Sequence, residues 1–326
     1  MKRLLAPVVT CLMLCLLAVP LPVRAAWPER PITLVVGWVM GSGSDLIARQ
    51  MASGLEKELG VPVSVMNIDG ANGIFAHSQV AFAEPDGYTL GLVTPDFINA
   101  YWGGETNYSY ESFTSIARIE QSPAAFWVDA KSPWRTLNEA LAAIRKTPPG
   151  TYSISGMAEG GAYHIAMFDL LKANGLRADA LRIVPSEGAV PGFRALGKGL
   201  VDVCPDSLRE GNVFYRQRKV RPLAVFARER QANFPDVPTV REANGKLVQG
   251  GTWRAVLAPP DLAPEVRTRL TEAVVKVAAS PEFQAFLDMH GFGAGTLAGD
   301  DLRKFMTDEH RHWGDVLAEL KLRKRK

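Results

Sequence analysis

The feature that most constrains the fold is a repeated order: a short apolar run, a glycine-bearing loop, then a helical pattern. In "ITLVVGWVMGSGSDLIARQMASGLEKELG", residues 32–36 are apolar and bounded by Pro31 and Gly37, the pattern of a buried strand. From Asp45 the apolar positions Ile47, Met51, Leu55 and Leu59 recur four apart and form one helical face, which Gly60 and Pro62 stop. A second strand is predicted over 63–66, with loop 67–73 behind it, and Asp86-Gly87 marks a turn before a strand over 88–93. Further along, Thr136-Leu-Asn-Glu139 fits a capping box that opens a helix to about Lys146. A strand over 152–155 runs into the glycine-rich loop 156–161 and a helix through His164, Met167, Phe168 and Leu171. Strands over 201–203 and 222–226 follow, and Ser280-Pro281 starts a helix that Gly291 stops. The last helix carries Leu302, Phe305, Met306, Trp313, Val316 and Leu320 on one face. Such alternation predicts an α/β fold with mostly parallel sheets. There is no repeat of solenoid period and no low-complexity linker.

The first residues belong to targeting, not to the fold. Lys2 and Arg3 precede an apolar stretch from Leu4 to Val19, and "VRA" before Ala26 fits a small-residue cleavage site. Residues 1–25 read as a secretory signal peptide, which predicts a periplasmic mature protein. Pro20, Pro22 and Arg24 argue against a spanning helix. No cysteine follows a lipobox-like triplet. The segment holds Lys2, Arg3 and Arg24 and no acids, so its removal takes the formal charge from +3 to zero. A near-neutral chain offers no nucleic-acid face. Cys204 is then the single remaining cysteine, so no intrachain disulfide staples the fold.

Two loops stand out chemically. In open α/β sheets, ligands sit where strands end and helix N-termini begin, and such N-termini favour anions. In "GSGSD", Gly41 and Gly43 permit close backbone approach, Ser42 and Ser44 add hydroxyls, and Asp45 opens the helix. Ser155, Gly156, Glu159, Gly160 and Gly161 form a second loop of the same design. Two such loops can hold the two ends of one small anionic ligand. The competing reading is that both are ordinary strand-to-helix turns.

Enzymatic patterns are weaker. The first loop lacks the third glycine of G-x-G-x-x-G, and neither G-x-x-x-x-G-K-[ST] nor G-x-S-x-G occurs. A serine hydrolase built on Ser44, Asp45 and His164, or on Ser155, has no supporting spacing, and Ser44 or Asp45 reads better as a helix cap. His310 and His312 are two apart on a helix and point to different sides, a poor metal pair. His164, near a helix start, is expected to bond loop carbonyls or to touch ligand. Neither a cofactor nor a metal site is expected.

These residues carry a family resemblance. The chain resembles the periplasmic solute-binding component of tripartite tricarboxylate transporter systems, the Bug family. "WPERPIT" at 27–33 is similar to the W/Y-P-x-[KR]-P-I start. "WVMGSGSD" at 38–45, followed by "IAR", resembles the F-x-P-G-G-x-[TS]-D-x-x-A-R loop. "PDGYTL" at 85–90, Ser155-Gly156 with His164, "FPDVPTV" at 234–240, and Trp253 with "LAPP" at 257–260 resemble its remaining motifs, in order. Departures are Met40 for Pro, Ser42 for the middle Gly, "NIDGANG" for N-R-P-G-A-G-G, a longer second loop holding Glu159, and "PSEG" at 185–188 for P-Y-K-G.

The resemblance implies a two-domain, venus-flytrap receptor with a hinge of crossing strands. Domain 1 would take residues 27–125 and 249–326, and domain 2 residues 126–248. Segments near Ser122 to Val128 and Gly250 to Leu257 would cross, making Phe126, Trp127 and Trp253 crossing, cleft-wall or core residues. The implied ligand is a small carboxylate, held by Trp38, Met40, Gly41, Ser42, Gly43, Ser44, Asp45, Ser155, Gly156, Glu159, Gly160, Gly161, His164, Ser186 and Asp206. Glu159 and Glu187 would repel a polyanion unless they face solvent or the ligand's second end donates hydrogen bonds. The implied partners are membrane permease subunits, with a membrane sensor kinase as the other recipient of the bound state, and the receptor is expected to act as a monomer.

Overall fold

The computed structural model describes residues 27–186 and 188–325. The expected signal peptide and Glu187 lie outside the described residues. Strand β1 (Ile32–Val36) is followed by helix α1 (Gly43–Leu59), β2 (Val63–Asn67), α2 (Ile74–Ala81), β3 (Thr89–Val93), α3 (Asp96–Trp102) and β4 (Thr114–Pro123). There follow β5 (Ala125–Asp129), α4 (Leu137–Lys146), β6 (Tyr152–Ile154), α5 (Ala162–Ala173), β7 (Leu181–Ile183), α6 (Ala189–Leu196), α7 (Leu208–Arg216), β8 (Val220–Val225) and α8 (Val240–Asn244). Strand β9 (Gly251–Ala258), α9 (Pro264–Ala278), α10 (Pro281–His290), β10 (Leu297–Ala298) and α11 (Gly299–Glu319) complete the chain.

Local chemistry sets most of these bounds. Ser42 caps α1 by accepting from the Asp45 N–H, and Gly60 ends it in a left-handed conformation at φ 73°. Thr136 and Glu139 form the capping box of α4. Gly291 ends α10 at φ 71°. Strand β1 is buried on both faces: Leu34 and Val36 join the core beneath α1, α9 and α10, while Val35 joins the one beneath α2, α3 and α11. That double burial is why its sequence is apolar at every position but Thr33.

The main sheet has the order β10-β4-β9-β3-β1-β2. It is parallel where β2, β1 and β3 alternate with helices, and antiparallel around β9, which returns from the far end of the molecule. The second set of elements holds two small sheets, β5-β8 antiparallel and β6-β7 parallel. Its cores lie between β5, β6, β8, α4, α5 and α7. The strand expected over 201–203 is instead a pair of isolated bridges, Val203 to Ile154 and Cys204 to Trp127. This segment switches partners from β6 to β5, and Asp202 bonds the Ser153 N–H and hydroxyl at 2.7 and 2.8 Å through its side chain.

Three segments meet where the two sets of elements join. Ala124 N–H donates to the Gly250 carbonyl (2.8 Å), Phe226 N–H to Ala124, and Gly250 N–H to Phe226. Gly251, at φ 141°, is required there, because a Cβ would lie 2.3 Å from the Ser122 carbonyl oxygen. Phe126, Trp127 and Trp253 are fully buried core residues. Trp127 Nε1 donates to the Asp206 carbonyl at 3.0 Å, and Trp253 Nε1 to Glu309 at 3.0 Å. A second junction runs along α5 and α11: Ile165 and Phe168 pack with Trp313 and Leu317, His312 pairs with Asp169 at 2.8 Å, and Lys172 pairs with Glu319.

Candidate functional site

The first loop leaves β1 and enters α1, and its acid organises it from within. Asp45, with a side chain 2 % exposed, accepts from the Gly41 N–H (2.9 Å), from Arg49 and from Asn67 (2.9 Å). Burial opposes its charge, but those hydrogen bonds outweigh burial and hold its carboxyl below the usual range. Gly41 therefore spends its N–H on Asp45. Gly43 and Ser44 occupy the first helical positions, where N–H groups have no intrahelical acceptor. Neither donates a hydrogen bond among the described residues. Trp38 is half-buried and accepts from Asn67 at its carbonyl, while Met40 is 75 % exposed.

Ser44 is not free to act as a nucleophile. Its Oγ accepts from Arg254 Nε at 2.9 Å. Arg254 also pairs with Glu120 at 2.6 Å, and Glu120, fully buried, accepts from the Ser122 hydroxyl. The hydrolase triad is not assembled: His164 Nδ1 accepts from the Gly160 N–H at 2.9 Å, and Asp45 belongs to Arg49. Burial holds His164 down to about 4, so it is a neutral acceptor that pins the second loop.

In that second loop Ser155, Gly156, Gly160 and Gly161 are buried and Glu159 is exposed. Gly156 (φ 93°) is obligatory, since a Cβ would sit 2.5 Å from Cys204 Sγ. The N–H groups of Ala162, Tyr163 and His164, which open α5, likewise donate to nothing among the described residues. Ser186 spends its hydroxyl on the Gly188 carbonyl at 2.8 Å. Asp206 is buried beside the start of α7 and accepts from the Ser207 N–H at 2.6 Å. Burial, then the nearby Glu210, pushes Asp206 up to about 8.

Arg254 is the hub that ties these pieces together. It bonds Ser44 at the start of α1, and its charge also acts on Asp96 at the start of α3 and on Tyr163 at the start of α5. Tyr163 in turn interacts electrostatically with Asp206, beside the start of α7. Burial, followed by Asp206, drives the Tyr163 phenol well above its ordinary value. Burial raises Asp96 too, against the hydrogen bond from Thr94 at 2.7 Å. Arg254 thus acts on the starts of α1, α3 and α5, and Asp96 and Asp206 hold their protons more tightly than usual. Arg254, Glu120, Asp96 and Tyr163 are absent from the residues that the sequence alone pointed to. A charge inside the apolar run "TWRAVLA" was the available signal.

Known proteins resemble this chain along nearly its whole length. The model of the tripartite tricarboxylate transporter family receptor matches residues 47–322. A UPF0065 protein of Bordetella pertussis is 30 % identical over 299 residues, covering 91 % of both chains. The crystal structure of a TctC solute-binding protein from Polaromonas superposes with a TM-score of 0.79 at 28 % identity, over 90 % of this chain and 100 % of that one. MatC from Rhodopseudomonas palustris with bound malate gives 0.70 at 26 %, over 89 % and 100 %. Rpa4515 of the same organism with adipate gives 0.73 at 26 %, over 90 % and 98 %.

Proposed function

The chain belongs to the tripartite tricarboxylate transporter receptor family, and from that membership we propose that it captures a small carboxylate between two lobes for delivery to a cognate permease. The family consists of solute-binding receptors, not enzymes, and the fold is the two-domain one of periplasmic binding proteins. No helix among the described residues is long and apolar enough to cross a membrane. The observation that carries the proposal is that Arg254 bonds Ser44 at the start of α1 and acts by its charge on Asp96 and Tyr163 at the starts of α3 and α5. We assign residues 27–125 and 249–326 to one lobe and 126–248 to the other, with the hinge at the hydrogen-bonded segments around Ala124 and Gly250.

In this reading one ligand carboxylate accepts from the free Gly43 and Ser44 N–H groups. Helix N-termini stabilise an anion by about 0.3–1 kcal/mol each when exposed and up to about 2 when partly buried. The far end of the ligand meets the α5 start, Tyr163 and Asp206. Glu159 faces solvent and does not repel it. Asp206, with its carboxyl raised to about 8, meets an anion as a hydrogen-bond donor at neutral pH. Relatives holding malate and adipate support a dicarboxylate.

Calorimetric titration with mono-, di- and tricarboxylates and with amino acids tests this. A dicarboxylate should bind best, and its affinity should fall as pH rises through about 8, where Asp206 loses its proton. Asp206→Asn should keep the affinity and abolish that pH dependence. A ligand with an ammonium end would instead bind more tightly across the same rise. A saturating ligand at 100 times its Kd adds about 2.7 kcal/mol to stability. If no carboxylate produces a thermal shift, the reading fails. The export reading is tested by intact mass: loss of residues 1–25 from the periplasmic form is the expected result.

A further inference from the structure

A cavity of about 740 Å³ is lined by no residue of the two loops. It lies where both joining segments pass, between Gln121, Ser122 and Pro123 on one side and Gln249 and Gly250 on the other. Its size is that of a site for a small molecule.

Two of its guanidinium groups have hydrogen-bonding capacity unspent. Arg118 is 7 % exposed. Its Nε donates to the Gly295 carbonyl at 2.8 Å, and its guanidinium lies over the Phe305 ring at 4.5 Å. Its two terminal nitrogens make no hydrogen bond, and no carboxylate stands within ion-pair distance of it, among the described residues. Arg209 lies over Phe292 at 4.2 Å and pairs through one terminal nitrogen with Glu210, while its buried Nε has no acceptor among the described residues. A buried guanidinium N–H such as the Arg209 Nε is normally satisfied, because leaving it dry and unpaired is costly.

The remaining charges on the wall do not fill this need. Arg230 is engaged by Glu242. Arg228, Glu229 and Asp288 are exposed. Glu309 sits nearby with one oxygen taken by Trp253, and burial raises its carboxyl above the ordinary value, which weakens it as a counter-ion. A guanidinium with free terminal N–H groups in a fixed fork matches the paired oxygens of an oxyanion.

We propose that this cavity is a second solute site, which adjoins the first loop where Arg209 and Phe292 stand against Gly43 and binds a small oxyanion through Arg118 with Arg209 and Arg228 around it. The phosphate, sulfate and carboxylate forms of that chemistry are distinguished by titrating the mature protein separately with inorganic phosphate, sulfate and citrate. At least one should bind with a Kd in the millimolar range or tighter. Arg118→Gln should weaken that binding about tenfold or more, and Arg228→Gln about threefold, while dicarboxylate capture is retained. Ser44→Ala should leave the anion affinity unchanged. If Arg118→Gln does not fold, Arg228→Gln and Arg118→Lys carry the comparison. Absence of binding by all three anions at tens of millimolar overturns the proposal. So does an affinity indifferent to all the arginine variants, or one lost in Ser44→Ala, which would put the anion in the loop cleft.

Discussion

Replacing Arg254 by methionine separates a structural hub from a decorative ion pair. Arg254 stands 2.6 Å from Glu120, whose side chain is 0 % exposed, and its own side chain is 11 % exposed. Arg254→Met leaves the Glu120 carboxylate with the Ser122 hydroxyl as its hydrogen-bond donor among the described residues, and removes the donor to the buried Ser44. Stripping one partner from a buried pair costs about 3–5 kcal/mol, mostly for the charge left behind. Arg254→Met/Glu120→Gln removes the stranded charge and should recover about 2–3 kcal/mol of that loss, a coupling that a double-mutant cycle measures. The assay is urea unfolding followed by the fluorescence of buried Trp127 and Trp253, with stability taken from the midpoint and slope. Carboxylate affinity should fall in both variants, because the guanidinium that acts on the starts of α1, α3 and α5 is gone in each. A single-variant cost below about 1 kcal/mol, or additive single and double effects, would refute the reasoning.

The loops and the α5–α11 junction offer further tests by the same unfolding assay. Gly156→Ala forces a Cβ to within 2.5 Å of Cys204 Sγ at φ 93° and should cost about 1–3 kcal/mol, with part of the loss regained in Gly156→Ala/Cys204→Ala. Asp45→Asn releases Arg49 and the Gly41 N–H, so it should cost about 1.5–3 kcal/mol at pH 7 and nothing once acid has protonated the wild-type carboxyl, because a lowered folded pKa gives stability that is lost as pH falls through it. His312 has a raised pKa, first through its hydrogen bond to Asp169, with Glu309 and Asp315 adding to it. Its stabilisation is fully present below about pH 6.5 and is lost as pH rises through the folded value; at 44 % exposure the gain is at most about 1 kcal/mol, and His312→Gln should remove the difference between pH 6 and pH 8 stabilities.

Local signals in this chain are read accurately wherever one turn of backbone decides the outcome. Thr136 and Ser280 begin helices, and Gly60 and Gly291 end them, because a cap hydrogen bond spans three or four residues and needs nothing from the rest of the molecule, whereas the cap of α1 expected at Ser44 or Asp45 is Ser42, Asp45 being taken up by Gly41, Arg49 and Asn67. The mostly apolar β1, interrupted only by the half-buried Thr33, announces burial on both faces. The two glycine-rich loops are legible as strand-to-helix junctions with free N–H groups, although the sequence does not show that Asp45 and His164 each take up one loop N–H.

What the amino-acid order determined by itself was therefore most of the succession of strands, loops and helices and the position of the two glycine-rich strand-to-helix loops. The site's centre was decided by tertiary structure. Arg254 meets Ser44 across 210 residues and Glu120 across 134, through a strand that returns antiparallel from the second lobe. Whether Asp206 is charged depends on the depth of its burial and on Glu210 and Tyr163, and Tyr163 is brought to it by a separate helix. Caps and periodicity act over a few residues, where covalent geometry limits the choices. Pairing across hundreds of residues depends on which elements the core brings side by side, and that arrangement is set by packing the whole chain.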